Sequence, residues 1–186
     1  MANSEKRAGG LKAEVRMDGD GLRVEGYAAV FGEETDIAGL FREVIEPGAF
    51  RSAIDRDDVV FNINHEGLPL ARRRGGKGTL HLEEDAHGLL MRATLRADDP
   101  DVQSIAGKME RGDLDKMSFA FFAERQEWEE PEGQTPLRRI WEARLQDVSI
   151  VTFPAYEGTE IALRSRPQIV PADPLWRLRQ KARLLK

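Results

Sequence analysis

The sequence contains no cysteine. This absence excludes disulfides, thiolate metal sites and cysteine nucleophiles together, and it fits a protein of a reducing cytosol. Any covalent catalysis by this chain must therefore use another residue as the nucleophile.

Long apolar runs are also absent, since none approaches the roughly 20 residues that a membrane-spanning helix needs. The opening residues 1–7 are polar and lack the apolar core of a signal peptide. We therefore expect a protein that has no membrane partner and that stays in the compartment where it is made. With 186 residues, 40% of them hydrophobic, the chain is long enough for one domain with a sizeable core.

Acidic residues are scarce at the end of the chain, where basic residues dominate. The net charge is -5, but residues 164–186 hold seven Lys and Arg against one Asp, a balance of +6 that leaves −11 on residues 1–163. An acidic body argues against specific nucleic-acid binding. The basic end is either a solvated tail or a docking segment for an acidic partner, and both interpretations stay open.

Strand patterns dominate the middle of the chain. The patterns predict strands over 23–31, 40–45, 58–63, 79–84, 89–95, 116–128 and 137–152. Helices are predicted from residues 46–50 to about Asp57, and from Asp98 or Asp99 to Gly112. Many short strands, few helices and no βαβ alternation predict a mainly β fold with flanking helices (α+β), as a closed or nearly closed antiparallel β-barrel surrounded by helices.

Composition also divides the chain into three segments. Residues 1–21 are polar and glycine-dotted, which predicts a flexible N-terminal arm. Residues 22–163 are predicted to form the folded domain. Residues 164–186 form a basic tail with three prolines, which is typical of a linker followed by a short terminal segment.

One serine lies in the most apolar of the predicted strands, 116–122. Side chains alternate along a strand, so Met117, Phe119 and Phe121 share one face while Ser118 lies on the other. Two interpretations are open: Ser118 fills a tight position in a buried strand, or it is a nucleophile.

Only three histidines are available to serve as a general base for such a serine. His81 is predicted on the solvated face of a strand, and His87 lies in a hairpin turn beside a glycine. His65 follows an apolar strand at the mouth of a loop, a place from which catalytic groups often project. His65 is therefore the preferred candidate.

An acid that orients the imidazole would complete the arrangement. Asp147 is preferred because it interrupts an apolar strand, where an ionised carboxylate is costly unless a partner is present. Ser149 is predicted on the same face and would support it. Other acids remain open for the role but lie in polar or terminal contexts: Glu66, Asp115, Glu124 and Glu142.

A metal site is the competing chemical interpretation. Its ligands would come from His65, Glu66, His81 and His87, and such a site would make the chain a metal-dependent hydrolase. Their spacing does not match common zinc motifs, and no cofactor is predicted.

Five segments resemble, in their order along the chain, the prohead protease family of tailed bacteriophages. This family comprises capsid-maturation serine proteases that are distantly similar to herpesvirus assemblin, and the resemblance covers most of residues 26–160. The segments are Gly26-Tyr27-Ala28-Ala29-Val30-Phe31, Ile45-Glu46-Pro47-Gly48-Ala49-Phe50, Asn64-His65-Glu66, Lys116-Met117-Ser118-Phe119-Ala120-Phe121 and Asp147-Val148-Ser149-Ile150-Val151-Thr152-Phe153-Pro154-Ala155-Tyr156.

The resemblance implies a herpesvirus-protease-like barrel, with Ser118 as nucleophile, His65 as general base and Asp147 as the third catalytic residue. The herpesvirus relatives use a second histidine after the serine, and no histidine follows Ser118 here. The resemblance further implies the substrate, which is the scaffolding segment of the major capsid protein, as well as self-cleavage. The place of action would be the assembling prohead in the cytoplasm of the infected bacterial host.

Two further expectations depend on the same resemblance. The herpesvirus analogy implies a homodimer as the oligomeric state. The alternative function, from a different class, is a non-catalytic capsid-assembly or scaffolding protein that retains the protease fold.

Overall fold

The computed structural model describes residues 4–18 and 21–153. The strands in these ranges are β1 (Glu5–Lys12), β2 (Glu14–Asp18), β3 (Gly21–Val30), β4 (Thr35–Ile37), β5 (Phe41–Ile45), β6 (Asp58–Ile63), β7 (Glu66–Arg74), β8 (Lys77–Gly78), β9 (Leu80–Glu84), β10 (Gly88–Arg96), β11 (Lys116–Glu129) and β12 (Leu137–Val151). The helices are α1 (Arg51–Arg56) and α2 (Pro100–Glu110).

The strands form two sheets. The first sheet runs β1-β11-β12-β6-β7-β8, with β5 paired to β12 and β4 paired to β5. The second sheet is the four-stranded β2-β3-β10-β9. One hydrophobic core contains residues of both sheets and of both helices, so the two layers form a single packed unit.

The longest strand, β12, organises the first sheet. It pairs with antiparallel β11 from Leu137, opposite Glu129, to Val151, opposite Lys116. On its other edge, residues 137–140 pair in parallel with β5 and residues 147–150 pair in parallel with β6. The C-terminal part of β12 is therefore enclosed between β11 and β6, a position that suits its β-branched residues.

The prediction of a closed or nearly closed barrel surrounded by helices is wrong. Within residues 4–18 and 21–153 no strand pairing joins the two sheets, and the two helices have only six and eleven residues. The physical reason lies at Ala13, where the chain passes from one sheet to the other. β1 pairs with β11 and β2 pairs with β3, so the hydrogen-bonded ladder is interrupted rather than closed.

The first strands also differ from expectation. Residues 4–18, predicted as part of a flexible arm, form β1 and β2. Their connection packs closely on β3, because a Cβ added at Gly26 would lie 3.1 Å from the Ala13 Cα and 3.3 Å from the Met117 side chain. Glycine at position 26 thus permits the approach of two backbones. The division of the chain into three segments stays a prediction, and the basic tail lies outside the described residues.

Several predicted elements are confirmed. β6, β11 and β12 lie within one residue of their predicted bounds, and β9 and β10 form the predicted hairpin. In α2, the Asp99 side chain caps the helix by accepting from the Asp101 N–H at 2.9 Å. No helix in the described ranges is long and apolar enough to cross a membrane.

Candidate active site

His65 lies in the tight turn between β6 and β7. Asn64 and His65 alone separate the two strands, with φ of 52° and 62°. Positive φ at both central residues is typical of the type I′ hairpin turn, in which asparagine is favoured. His65 is therefore held on a short turn rather than on a long loop.

The turn is fastened to the end of β12. The Asn64 side-chain oxygen accepts from the Thr152 N–H at 2.9 Å, and the Asn64 N–H donates to the Ile150 carbonyl at 2.9 Å. These two bonds fix the position from which the imidazole projects. They also offset the cost of a left-handed conformation at a residue other than glycine.

Ser118 and Asp147 lie on adjacent strands and on one face of the first sheet. Ser118 is directly opposite Ser149 across the β11–β12 pair, and Ala120 is opposite Asp147. Directly opposed residues of an antiparallel pair share a face. The prediction that Ser118 faces away from Met117 and Phe119 agrees with this register, since Phe119 packs on Phe50 with ring centroids 5.5 Å apart.

The three side chains form a hydrogen-bonded line. His65 Nε2 lies 2.7 Å from Ser118 Oγ, and His65 Nδ1 lies 2.6 Å from Asp147 Oδ1. Ser149 Oγ donates to the same Asp147 oxygen at 2.8 Å. Residues that are 29 and 53 positions from Ser118 along the chain thus meet at one place because β6, β11 and β12 are neighbours.

The line is removed from solvent. Ser118 is fully buried, and the side chains of His65 and Asp147 are 4% and 5% exposed. A carboxylate at such a site is costly unless it is hydrogen-bonded, and Asp147 accepts bonds from both His65 and Ser149. These two partners explain why an acid is tolerated in an otherwise apolar segment.

The arrangement is suited to activating a hydroxyl. A serine hydroxyl is a weak nucleophile at neutral pH, and an imidazole at hydrogen-bond distance is able to accept its proton. A carboxylate on the other ring nitrogen fixes the imidazole orientation and stabilises its protonated form. The distances at Ser118, His65 and Asp147 match those requirements.

β1 covers the serine. Ala8 is opposite Ser118 in the β1–β11 pair, and Ser118 Oγ donates to the Arg7 carbonyl at 2.7 Å. β11 therefore has β12 on one edge and β1 on the other. β1 is therefore in direct contact with Ser118.

Two side chains of β1, Glu5 and Arg7, form a buried ionic cluster with Glu43 and Arg138. Arg7 binds Glu43 through two nitrogens at 2.6 and 3.1 Å, and binds Glu5 at 2.8 Å. Arg138 binds Glu5 at 2.6 and 2.9 Å, and binds Glu43 at 2.9 Å. Two cations and two anions make the cluster neutral, and all four side chains are less than 10% exposed.

Burial opposes the charge on Arg7, but the neighbouring carboxylates outweigh it. Glu43 contributes more than Glu5, and together they raise the pKa of the Arg7 guanidinium above its usual value. Arg7 therefore remains a cation inside the fold.

The other sequence candidates lie elsewhere. His81 and His87 are exposed, and the His87 ring packs edge-on against Tyr27 with centroids 4.5 Å apart. Glu124 pairs with Arg56 at 3.0 Å, which gives that acid a surface partner of its own.

Glu66 and Glu142 also differ from Asp147 in their surroundings. Glu66 is exposed in the first position of β7, and Glu142 accepts from Ser52 Oγ at 3.0 Å. In the part of the chain that the structure describes, no group of three or more His, Asp or Glu side chains is placed to hold a metal ion.

Sequence reasoning missed β1, β7 and the ionic cluster. β1 has two glycines and four charged residues in eight positions, so it shows no apolar alternation. Its alternating Glu5 and Arg7, two positions apart on one face, was the available indication of a paired strand. For β7, the two-residue Asn64-His65 turn was the indication of a hairpin.

Comparisons with known proteins also indicate a serine protease. A family model described as caudovirus prohead serine protease matches residues 11–170. No curated protein matches the sequence. Among solved structures, the chain is similar to the bacteriophage T4 capsid assembly protease gp21, with a TM-score of 0.51 and 10% sequence identity.

The structural match covers 80% of this chain and 97% of the T4 protein. At that identity it supports the fold, whereas the family model covers most of the sequence and carries the assignment. The chain is a serine protease, and it belongs to the caudovirus prohead serine protease family.

Proposed function

We propose that this protease cleaves the scaffolding segment of the major capsid protein, and itself, during prohead maturation. The work takes place inside the assembling prohead, in the cytoplasm of the infected bacterial host. The family assignment supports the setting. The observation that carries the chemistry is the buried line from Ser118 through His65 to Asp147, with contacts of 2.7 and 2.6 Å.

In this proposal His65 is the general base. Its Nε2 accepts the proton of Ser118 as Oγ attacks the carbonyl carbon of the scissile peptide. The protonated imidazole then donates to the leaving amine, and water, activated by His65 in turn, hydrolyses the acyl-enzyme.

Asp147 positions the imidazole in this scheme. Its Oδ1 accepts a hydrogen bond from the Nδ1–H, which leaves Nε2 as the acceptor that faces Ser118. Ser149 holds the carboxylate from the other side at 2.8 Å. In this scheme β11 carries the nucleophile, β12 carries the orienting acid and the β6–β7 turn carries the base.

The test is coexpression of the capsid protein with the wild-type chain or with Ser118→Ala. We expect the scaffolding segment to remain uncut with Ser118→Ala. Ser52→Ala is the matched control, because Ser52 Oγ donates at 3.0 Å to Glu142, an exposed pair that includes none of the three candidate residues. Continued processing by Ser118→Ala would rule out the nucleophile assignment.

A fluorophosphonate probe separates the protease from its non-catalytic alternative. The probe reacts with an activated serine, so labelling that requires Ser118 supports catalysis. Absence of labelling even in assembled proheads would favour a capsid-assembly role for the retained fold. The homodimer and the likeness to herpesvirus assemblin are part of the same proposal, and sedimentation of the purified chain tests the first of them.

A further inference from the structure

The position of β1 shows how an extended peptide lies across this site. β11 carries Ser118 and has one edge on β12, so its other edge, which β1 takes, is the edge at which another strand reaches the nucleophile. Addition of a strand to a sheet edge is a common way to bind an extended peptide. The backbone carbonyl that meets Ser118 Oγ is that of Arg7, at 2.7 Å.

The same contact bears on catalysis. A hydroxyl carries one proton, so Ser118 Oγ cannot donate to the Arg7 carbonyl and to His65 at the same time. The hydrogen bond to β1 therefore competes with proton transfer to the imidazole. A segment bound for cleavage in place of β1 has to release that proton to His65.

Two residues of the domain, Glu43 and Arg138, bind charged side chains of β1. Arg7, whose carbonyl faces the serine, is bound by Glu43 of β5 through two nitrogens. Glu5, two positions earlier and on the same face, is bound by Arg138 of β12 through both carboxylate oxygens, at 2.6 and 2.9 Å. Two-point bonds between charged groups are both strong and selective in geometry.

Further contacts hold Glu43 and Arg138 in place. Arg138 and Glu43 are register partners in the β12–β5 pair, and they also bind each other at 2.9 Å. Gln126 of β11 holds the Arg138 Nε at 2.6 Å. Removing β1 would leave these buried groups with fewer partners, which is costly, so an incoming strand is favoured when it carries matching charges.

We propose that Glu43 and Arg138 are the specificity-determining residues of the site. They select an extended segment that has a basic residue at the position whose carbonyl faces Ser118 and an acidic residue two positions before it. In the chain itself, β1 occupies this site. The inference rests on the proposed function. It makes Arg7–Ala8 the peptide bond of β1 that lies at the nucleophile. Attack of Oγ on the Arg7 carbonyl carbon breaks the C–N bond, His65 passes the serine proton to the Ala8 nitrogen, and water releases the Arg7 carboxylate.

The first experiment measures how fast a reactive probe labels Ser118. In the full chain, Arg7→Ala removes the bonds to Glu43 and loosens β1, so we expect fluorophosphonate labelling of Ser118 at least about tenfold faster than in wild type. Arg16→Ala is the control, because Arg16 pairs with Glu14 on the exposed face of β2. Labelling of Arg7→Ala at the wild-type rate would show that β1 does not obstruct the site.

The second experiment compares kcat/KM for peptides that differ in charge. The Arg7→Ala chain is given the hexapeptide Glu-Lys-Arg-Ala-Gly-Gly and two variants, one with Gln for Glu and one with Gln for Arg. We expect kcat/KM to fall about tenfold or more for each variant. Adding Glu43→Gln should abolish the preference for Arg over Gln, while Glu46→Gln, whose carboxylate binds Arg139 instead, should leave it unchanged.

The outcomes are distinguishable. Labelling of Ser118 without a charge preference among the peptides would refute the specificity residues and leave the protease intact. Failure of labelling in every variant would refute the proposed catalysis, and the specificity inference would fall with it. If Glu43→Gln does not fold, Glu43→Asp keeps the charge and should keep the preference for Arg, and loss of that preference in a folded Glu43→Asp chain would count against the inference.

Discussion

Asp147→Asn is the substitution that tests the active-site geometry most directly. Asp147 Oδ1 accepts from His65 Nδ1 at 2.6 Å and from Ser149 Oγ at 2.8 Å. An asparagine with its oxygen in the same place keeps both hydrogen bonds and removes only the negative charge. The fold is therefore preserved while stabilisation of the protonated imidazole is lost.

The expected loss of kcat follows from the interaction between the Asp147 carboxylate and the protonated His65 imidazole. Two unit charges centred about 4 Å apart interact by about 4 kcal/mol at an effective dielectric constant of about 20. Because the imidazole becomes a cation only as the reaction proceeds, that energy is lost from the barrier step. At about 1.4 kcal/mol per decade, we expect kcat to fall about 10³-fold with little change in KM.

Ser149→Ala gives the smaller matched effect. It removes one neutral donor to the same carboxylate oxygen, worth about 1 kcal/mol, so we expect a loss of about fivefold in kcat. The assay is steady-state hydrolysis of a peptide by the Arg7→Ala chain, together with urea unfolding of each variant. Asp57→Asn is the control for burial, because Asp57 accepts the Leu145 N–H at 2.8 Å and should affect unfolding more than kcat.

A folded Asp147→Asn chain that hydrolyses the peptide within about threefold of its parent would refute the reasoning. The orienting acid would then have to be sought elsewhere. A fall in kcat accompanied by an equal fall in the fraction folded would likewise show that Asp147 acts through stability.

The remaining predictions concern the supports of the site and the fold. Asn64→Ala should lower the free energy of unfolding, measured in urea, by about 2 kcal/mol. The substitution loses the bond to the Thr152 N–H and places alanine at positive φ. An unchanged midpoint of urea unfolding would contradict this prediction. Burial raises the pKa of the Glu84 carboxyl above its ordinary value, although the Phe50 N–H and the nearby Arg51 guanidinium both act to lower it. The folded chain therefore holds a proton that the unfolded chain has released, and stability falls as pH rises through that window. Glu84→Gln removes this loss, so its advantage over wild type in urea should be larger at about pH 7 than at about pH 4, and an advantage independent of pH would contradict the assignment. Gly88→Ala should cost about 3 kcal/mol or more, since the new Cβ would lie 2.0 Å from a backbone oxygen of β3; wild-type urea stability would show that the two strands separate easily.

Elements with a clear apolar period were predictable from sequence. β6 and β12 alternate or run apolar between polar bounds, and α2 begins with an Asp-Pro cap and places Val102, Ile105 and Met109 on one buried face. These patterns record burial directly, because each apolar position corresponds to a core contact. Ser118 and Asp147 were found for a related reason, since each is a polar residue inside an apolar strand, whereas His65 was found by elimination among three histidines.

The sheet pairing was harder to predict, since pairing is a long-range property. The closed barrel was expected from the number of strands, whereas the actual path depends on where one connection, at Ala13, crosses between layers. Strand count does not determine whether the last ladder forms. β1 was missed because Glu5 and Arg7 are charged although they are buried, and a periodicity of hydrophobicity does not register charges that are buried in pairs.

The chemistry of the ionic cluster suits a strand that has to be exchanged. A buried set of paired charges contributes little net stability compared with apolar packing, because desolvation offsets much of the attraction. Removing one partner without replacement is costly, however, so the cluster discriminates strongly between strands with matching and non-matching charges. An apolar β1 would bind β11 more tightly and accept many apolar replacements, whereas Glu5 and Arg7 bind through Arg138 and Glu43 in one register. Weak net binding with strict selection is what a site needs if β1 is to yield to a substrate segment of the same charge pattern and to no other.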